Sequence, residues 1–371
     1  MKRFFAQHVS TVLLVMGICF LACPPKPVWS ETETLRMLVW PSYDSKLHEE
    51  AFIRLVREKH GIDLKLEVTH IAMNDDVFPA LRDGKADIVS PSHQVPKDQR
   101  FQLIKLKLVL SLNLNNIPNY KNVIPALQNT VYFTEGSDIY GVPVARGPYG
   151  LAYNTEIVKE PPQTWNILWD PAYKGKYTLG KEQYEQNVYI TALAMGMSAA
   201  DMSNYAKLNT PEFQEKLAQL AAGAKTMWIG EDKPEDLKGL ALAASWGSAL
   251  SGLKEKGEIW KMADPKEKTT AWLDNFMISH TLESNPKLRR IAEDWLNFVL
   301  SDDYQEYLVR TVLFEPVTTT VSSRLTPEEI ANFHLDDSAY FEKNRILWPV
   351  LEKTDRKGIK RLWDDAVAKR K

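Results

Sequence analysis

Residues 141–176 read GVPVARGPYGLAYNTEIVKEPPQTWNILWDPAYKGK, and the fold turns on this stretch. Val142 to Ala145 and Gly150 to Tyr153 are short runs of strand character. Asn154-Thr155 stops the second run, Pro161-Pro162 breaks the chain, and Thr164-Trp165 opens a segment that can form a short helix. Two neighbouring β runs followed by a change of texture predict a chain leaving one lobe and entering another.

Towards the amino terminus, Leu35 to Trp40 is an apolar run of strand length interrupted only by Arg36, as in a largely buried parallel strand. Leu47, Ala51 and Leu55 then recur at helical spacing, with Asp44 or Ser45 as the cap and Gly61 as the stop. Leu64 to Val68, Asp75 to Arg82 and Ala86 to Val89 continue as strand, helix, strand. This β-α-β-α-β order with short connections predicts an open parallel sheet, whose ligands bind beyond the carboxyl ends of the strands. Topology therefore brings Trp40, Ser42, Tyr43, Ser92 and His93 together.

Towards the carboxyl terminus, strands are expected near Tyr177 to Leu179 and Leu240 to Ser245, and helices at Gln186 to Met197, Pro211 to Ala224 and Pro234 to Lys238. WLDNFMI, 272–278, is a second apolar strand of crossover type. It leads into an amphipathic helix, Lys287 to Leu300, with Leu288, Ile291, Trp295 and Val299 on one face. A last helix is expected from about Arg356 to Ala368. Chain crossings near 142–146 and 272–275 would join two α/β lobes, and a cleft between such lobes can close on a small ligand by hinge motion. No internal repeat or low-complexity segment interrupts this pattern.

Residues 1–30 have the texture of a signal peptide: Lys2 and Arg3, an apolar run from Val12 to Cys23, and Val28-Trp29-Ser30 before a cut at Glu31. The apolar run is shorter than the roughly 20 residues that span a bilayer. Both cysteines, Cys19 and Cys23, fall inside it, so the mature chain would lack disulfides and thiolate chemistry. Phe20-Leu21-Ala22 fits the pattern before a lipid-bearing Cys23 poorly. Removing the segment takes 46 basic against 48 acidic residues to 43 against 48, a net charge of about −5. That mildly acidic balance argues against nucleic-acid binding, and the remaining length favours two domains. His48, His60, His70, His280 and His334 show no metal-ligand spacing. No nucleophile elbow, P-loop or Gly-rich dinucleotide loop is present, which argues against an enzyme.

Candidate chemistry collects at strand ends. Trp40, Trp246 and Trp272 can wall a site for a cation and its alkyl chain, or simply pack. Asp274, an acid in an apolar strand, needs a partner: a ligand ammonium, or backbone amides at the hinge. Glu182 and Glu185, at i and i+3, share a face if a helix begins there, as site acids or as solvated first-turn acids. Arg146 can clamp a ligand carboxylate or pin the hinge to a neighbouring acid.

With LRMLVWPSY (35–43), DIVSPS (87–92), AYN (152–154), TW…LWDPAYKGK (164–176) and WLDN (272–275) in this order, the chain resembles the ABC-transporter periplasmic solute-binding proteins of the spermidine/putrescine-binding type. The resemblance runs over nearly the whole mature chain and implies an α/β, two-lobed periplasmic binding protein fold of type II. Each lobe would be a mixed sheet flanked by helices, with the ligand cleft between. The implied division is a signal peptide at 1–30, one lobe of 31–143 plus about 275–315, and a second of 144–274 plus about 316–371. It implies a monomeric, non-enzymatic periplasmic protein without cofactor that closes on a polyamine or similar amino compound and hands it to an inner-membrane ABC permease. Trp40, Ser42, Tyr43 and Ser92 would line the cleft, Trp246 would box the ligand, and Trp272 with Asp274 would hold its amine end. Glu182 and Glu185 fall on the family's acidic positions, and a shift of one puts Gln183 and Gln186 there instead. Two departures stand out: Ser42 where many members carry an acid, and Arg146 where an aromatic residue is usual. A cleft cation would favour an amino acid-like zwitterion or an anion over a polyamine. A ligand sensor for a receptor and a periplasmic enzyme are the readings from other classes.

Overall fold

Two long strands, Val142–Asn154 and Thr269–Ile278, run antiparallel through the middle of one large mixed sheet. The computed structural model describes residues 31–337 and 339–370; the expected signal peptide and both cysteines lie outside the described residues. Across the sheet the order is Ile62–His70, Glu31–Val39, Ile88–Val89, Thr269–Ile278, Val142–Asn154, Leu242–Ser245, Tyr177–Gly180, Thr226–Trp228. The three strands at either end are parallel among themselves, and antiparallel pairing joins each triplet to the central two. The two central strands link the two triplets. All of Thr269–Ile278 is buried, which is why that segment reads as an apolar run without alternation.

The amino-terminal β-α-β-α-β reading holds. Lys46–His60 is a helix ended by Gly61 at φ 68°, whose N–H returns to the carbonyl of Arg57 at 2.9 Å. The two short runs expected at 142–145 and 150–153 are instead one continuous strand through Arg146, Gly147 and Pro148. Gly147 and Pro148 weaken strand propensity, yet the position requires a glycine: a Cβ there would lie 2.7 Å from Cζ2 of Trp272, the residue opposite. The second crossing strand starts at Thr269 rather than Trp272, because 269–271 pair in parallel with Arg345–Leu347, a segment far along the chain.

Pro286–Phe298, capped by the Asn285 side chain on the N–H of Leu288, buries Leu288, Ile291 and Trp295 against the sheet and the Lys46–His60 helix. Lys353–Ala368 turns Ile359, Leu362, Trp363 and Ala366 onto helices Tyr184–Ala194 and Pro211–Gly223 of the second lobe. No helix among the described residues is long and apolar enough to cross a membrane. Trp295 is fully buried between Phe52 and Phe276, at ring distances of 5.0 and 6.2 Å. Trp295→Ala should therefore lower stability by about 3–5 kcal/mol in urea unfolding. A loss below about 1 kcal/mol would contradict this packing.

Candidate functional site

Asp274 sits on the crossing strand with its carboxylate buried. Tyr43 Oη donates to Oδ2 at 2.9 Å and Ser92 Oγ donates to Oδ1 at 2.9 Å. Tyr43 belongs to a short turn of helix directly after the first strand, and Ser92 follows the third, bridging Asp274 itself. Among the described residues no Lys, Arg or His pairs with this carboxylate. Burial pushes its pKa up to about 7, the two hydrogen bonds offsetting only part of that rise. Both partners are neutral donors, so the charge is held but not balanced.

Aromatic rings surround it. In an antiparallel ladder, opposed residues share a face and successive residues alternate, so Trp272 (opposite Gly147) and Asp274 (opposite Ala145) project to one side. The Trp272 ring meets Phe314 edge-on at 4.8 Å, and Phe314 in turn lies 6.3 Å from Tyr43. Trp40, half-buried, gives its backbone N–H to Ser90 Oγ at 3.0 Å. Ser42, also half-buried, accepts the Tyr307 hydroxyl on its carbonyl at 3.1 Å. From the second lobe, Trp246 packs on Tyr149 at 4.6 Å and on Trp348 at 5.7 Å. Its backbone N–H is held by Asp232, which also takes the Ser245 hydroxyl at 2.7 Å.

The predicted acids part company. The helix begins at Tyr184, leaving Glu182 exposed before it and Glu185 in its first turn. Glu185 accepts the Tyr184 hydroxyl at 2.9 Å and pairs with Arg356 at 3.2 Å. Burial raises its pKa despite that arginine. Gln183 is half-buried and donates to the Gly230 carbonyl at 3.4 Å, while Gln186 is buried. Arg146 lies opposite Leu273, on the other face of the ladder from Asp274. There it is buried against Glu315 at 3.4 Å, donates to the Pro316 carbonyl at 3.2 Å, and stacks over Phe341 at 4.5 Å. The structure thus brings Tyr43, Ser92, Trp272 and Asp274 together and keeps Arg146 apart.

Sequence reasoning missed the carboxyl-terminal contribution. Trp348 follows the strand Arg345–Leu347, gives its backbone N–H to the Ala271 carbonyl, and accepts His93 Nε2 on its own carbonyl at 2.9 Å. His93 Nδ1 accepts the Leu273 N–H at 3.2 Å, which fixes the tautomer, and burial lowers the ring's pKa to about 4. His93 is thus a neutral tie between the end of the third strand and the carboxyl-terminal strand Arg345–Leu347. A signal was available: Trp348-Pro349 after an apolar run repeats the pattern of Trp40-Pro41. Arg356 makes the second tie, to Asp98 of the first lobe as well as Glu185. Among the described residues no cluster of His, Cys, Asp and Glu is placed to hold a metal ion.

Residues 83–344 match the family described as bacterial extracellular solute-binding protein. Among solved structures, the chain is similar to a spermidine/putrescine ABC transporter substrate-binding protein, PotD, of Streptococcus pneumoniae, at 18% identity and a TM-score of 0.74, covering 91% of this chain and 100% of that one. The TpPotD lipoprotein of Treponema pallidum gives 17% and 0.63, covering 91% and 99%. The binding protein MotA of A. tumefaciens B6, in complex with glucopine, gives 14% and 0.61, covering 91% and 100%. At these identities the likeness establishes the two-lobed α/β fold.

A carboxyl whose folded pKa exceeds its unfolded value contributes stability below about pH 4 that is lost as pH rises through about 7. In the ligand-free protein, Asp274→Asn should therefore raise stability at pH 8 by on the order of 2–4 kcal/mol, the gain shrinking towards zero by pH 4. Thermal melts across that range read it directly. A gain independent of pH would show that Asp274 does not titrate as described.

Proposed function

The chain belongs to the bacterial extracellular solute-binding protein family, a family of binding proteins rather than enzymes, and from that premise we propose that it is the substrate-binding component of an ABC importer. It captures a polyamine or similar small amino compound in the periplasm and presents it to an inner-membrane permease. The observation that carries the reading is Asp274: a buried carboxylate oriented by Tyr43 and Ser92, with no cation paired to it among the described residues.

An ammonium group beside Asp274 supplies the missing charge. Tyr43 and Ser92 each occupy one carboxylate oxygen, and the remaining lone pairs are free to accept. Trp272 offers a flat apolar surface on the same face, suited to the methylenes next to an ammonium and to a cation over a ring. Closure is built into the same elements. The lobes are divided near residues 143 and 274 and turn about the two crossing strands, and His93 with Trp348 and Asp98 with Arg356 meet when they come together. Excluding water strengthens the ammonium–carboxylate attraction, because the local dielectric falls.

Isothermal titration calorimetry against the amine that most raises Tm in a screen of polyamines, amino acids and betaines tests this reading. Asp274→Asn should weaken binding by about 1.5–3 kcal/mol and Trp272→Ala by about 1–3 kcal/mol. Affinity of the parent should rise between pH 6 and pH 8, since the ammonium competes with a proton on a carboxyl whose pKa is about 7. Small-angle scattering should show a smaller radius of gyration with ligand. An amine that binds Asp274→Asn as tightly as the parent would sink the proposal.

A further inference from the structure

The charge inventory between the lobes is uneven. Beyond Asp274, the acids nearest the closure are Asp98, almost fully buried in the first lobe, and Glu185 in the second. The guanidinium of Arg356 already lies between them: Nη1 reaches Glu185 at 3.2 Å, and Nη2 reaches Asp98 and, at 3.3 Å, the Leu351 carbonyl. Arg100 adds a second positive charge on Asp98 at 3.0 Å. A pair of carboxylates from opposite lobes could receive a second ligand ammonium, but here the chain's own arginine fills that place. Among the described residues Asp274 is left without a counter-charge; Asp232, also unpaired by a cation, is instead enclosed by the Ser245 hydroxyl and the backbone N–H groups of Trp246 and Ala249.

A second, independent observation concerns donors. The indole Nε1 of Trp40, the indole Nε1 of Trp348 and the hydroxyl of Tyr189 are buried without a hydrogen-bond partner among the described residues. Trp348 is wedged between His93 of the first lobe, at 6.0 Å, and Trp246 of the second, at 5.7 Å. Tyr189 is on the helix that carries Glu185, and burial, with the Glu185 carboxylate nearby, pushes its phenol pKa up; Tyr132 packs on His93 at 4.5 Å. Trp40 closes the strand that leads into Tyr43. An indole N–H can only donate, and so can an ammonium. A second ammonium therefore leaves both indoles unpaired, whereas an oxygen satisfies them.

Resting on the reading of Asp274 as an ammonium site, we propose that the ligand carries a single ammonium group and, on the remainder, neutral oxygen acceptors of the hydroxyl or carbonyl type, and is not a di- or tricationic polyamine. One positive charge balances Asp274. The oxygens take the indole and phenol donors of Trp348, Trp40 and Tyr189, and Arg356 excludes a second cation.

The test is a matched panel titrated by calorimetry into the mature protein at pH 8: primary alkylamines, amino alcohols, N-(aminoalkyl)acetamides, amino carboxylates and diamines on chains of two to six carbons. The best oxygen-bearing monoamine should bind at least tenfold more tightly than the diamine and the plain amine of equal length. Trp348→Phe keeps a ring but removes the N–H, and should cut the advantage over the plain amine to less than threefold. Arg356→Gln uncovers Glu185 and leaves Asp98 to Arg100 alone, and should improve the diamine at least tenfold relative to the amino alcohol. A parent protein that binds a diamine or an amino carboxylate as tightly as the best neutral-oxygen monoamine, or binds no member of the panel, overturns the proposal, and this ranking needs no variant to fold. Asp274→Asn separates the two levels. If it destroys binding while a diamine ranks first, only the present inference falls; if it leaves binding intact, the ammonium reading falls with it.

Discussion

An ionisable carboxylate on a strand buried from both sides opposes folding unless something answers its charge, and the protein answers Asp274 only halfway. Tyr43 and Ser92 supply hydrogen bonds without supplying positive charge. A lysine or arginine in place of either neighbour would balance the charge inside the fold. The surroundings bear the strain instead: a fully buried crossing strand, rings of Phe314 and Phe276 about Tyr43 with Trp272 against Phe314, and a helix anchored by Trp295 beneath them. Stability taken from the rest of the fold is what allows one site to remain unsatisfied.

A second buried acid, Asp232, is as deeply enclosed as Asp274 and likewise meets only neutral donors: it accepts from the Ser245 hydroxyl and from backbone N–H groups of Trp246 and Ala249, and so holds a turn. Glu315 is likewise enclosed, and two arginines, Arg146 and Arg345, neutralise it. Buried acids are thus common to both lobes. Asp274 differs from Asp232 in that both its donors are side-chain hydroxyls, and from Glu315 in that no arginine meets it among the described residues.

Much of the architecture was legible because strand and helix periodicities are local. Leu35 to Trp40 and WLDNFMI announce buried strands through composition alone, and the placement of Tyr43 and Ser92 beyond strand ends brought them beside Asp274. The glutamates were not separable, since whether Glu182 and Glu185 share a face depends on a helix starting one or two residues earlier than Tyr184. Arg146 could not be assigned to a face until its register against Leu273 was known, and that register is set by a partner strand more than a hundred residues away. Trp348 and Arg356 escaped for a related reason: Trp348-Pro349 echoes Trp40-Pro41, but nothing local indicates that Arg345–Leu347 adds to the crossing strand.

The crossing strand has a consequence for the order in which the chain can fold. Tyr43 and Asp274 are 231 residues apart, and His93 and Trp348 are 255 apart. As the chain emerges from its amino terminus, its first three strands have no neighbour on one side until residues 269–278 arrive. Loop-closure entropy of that size delays the pairing. The amino-terminal lobe is therefore an open-edged, unfinished sheet for most of synthesis, a state compatible with being threaded through a narrow channel, and it locks only when nearly the entire polypeptide is present.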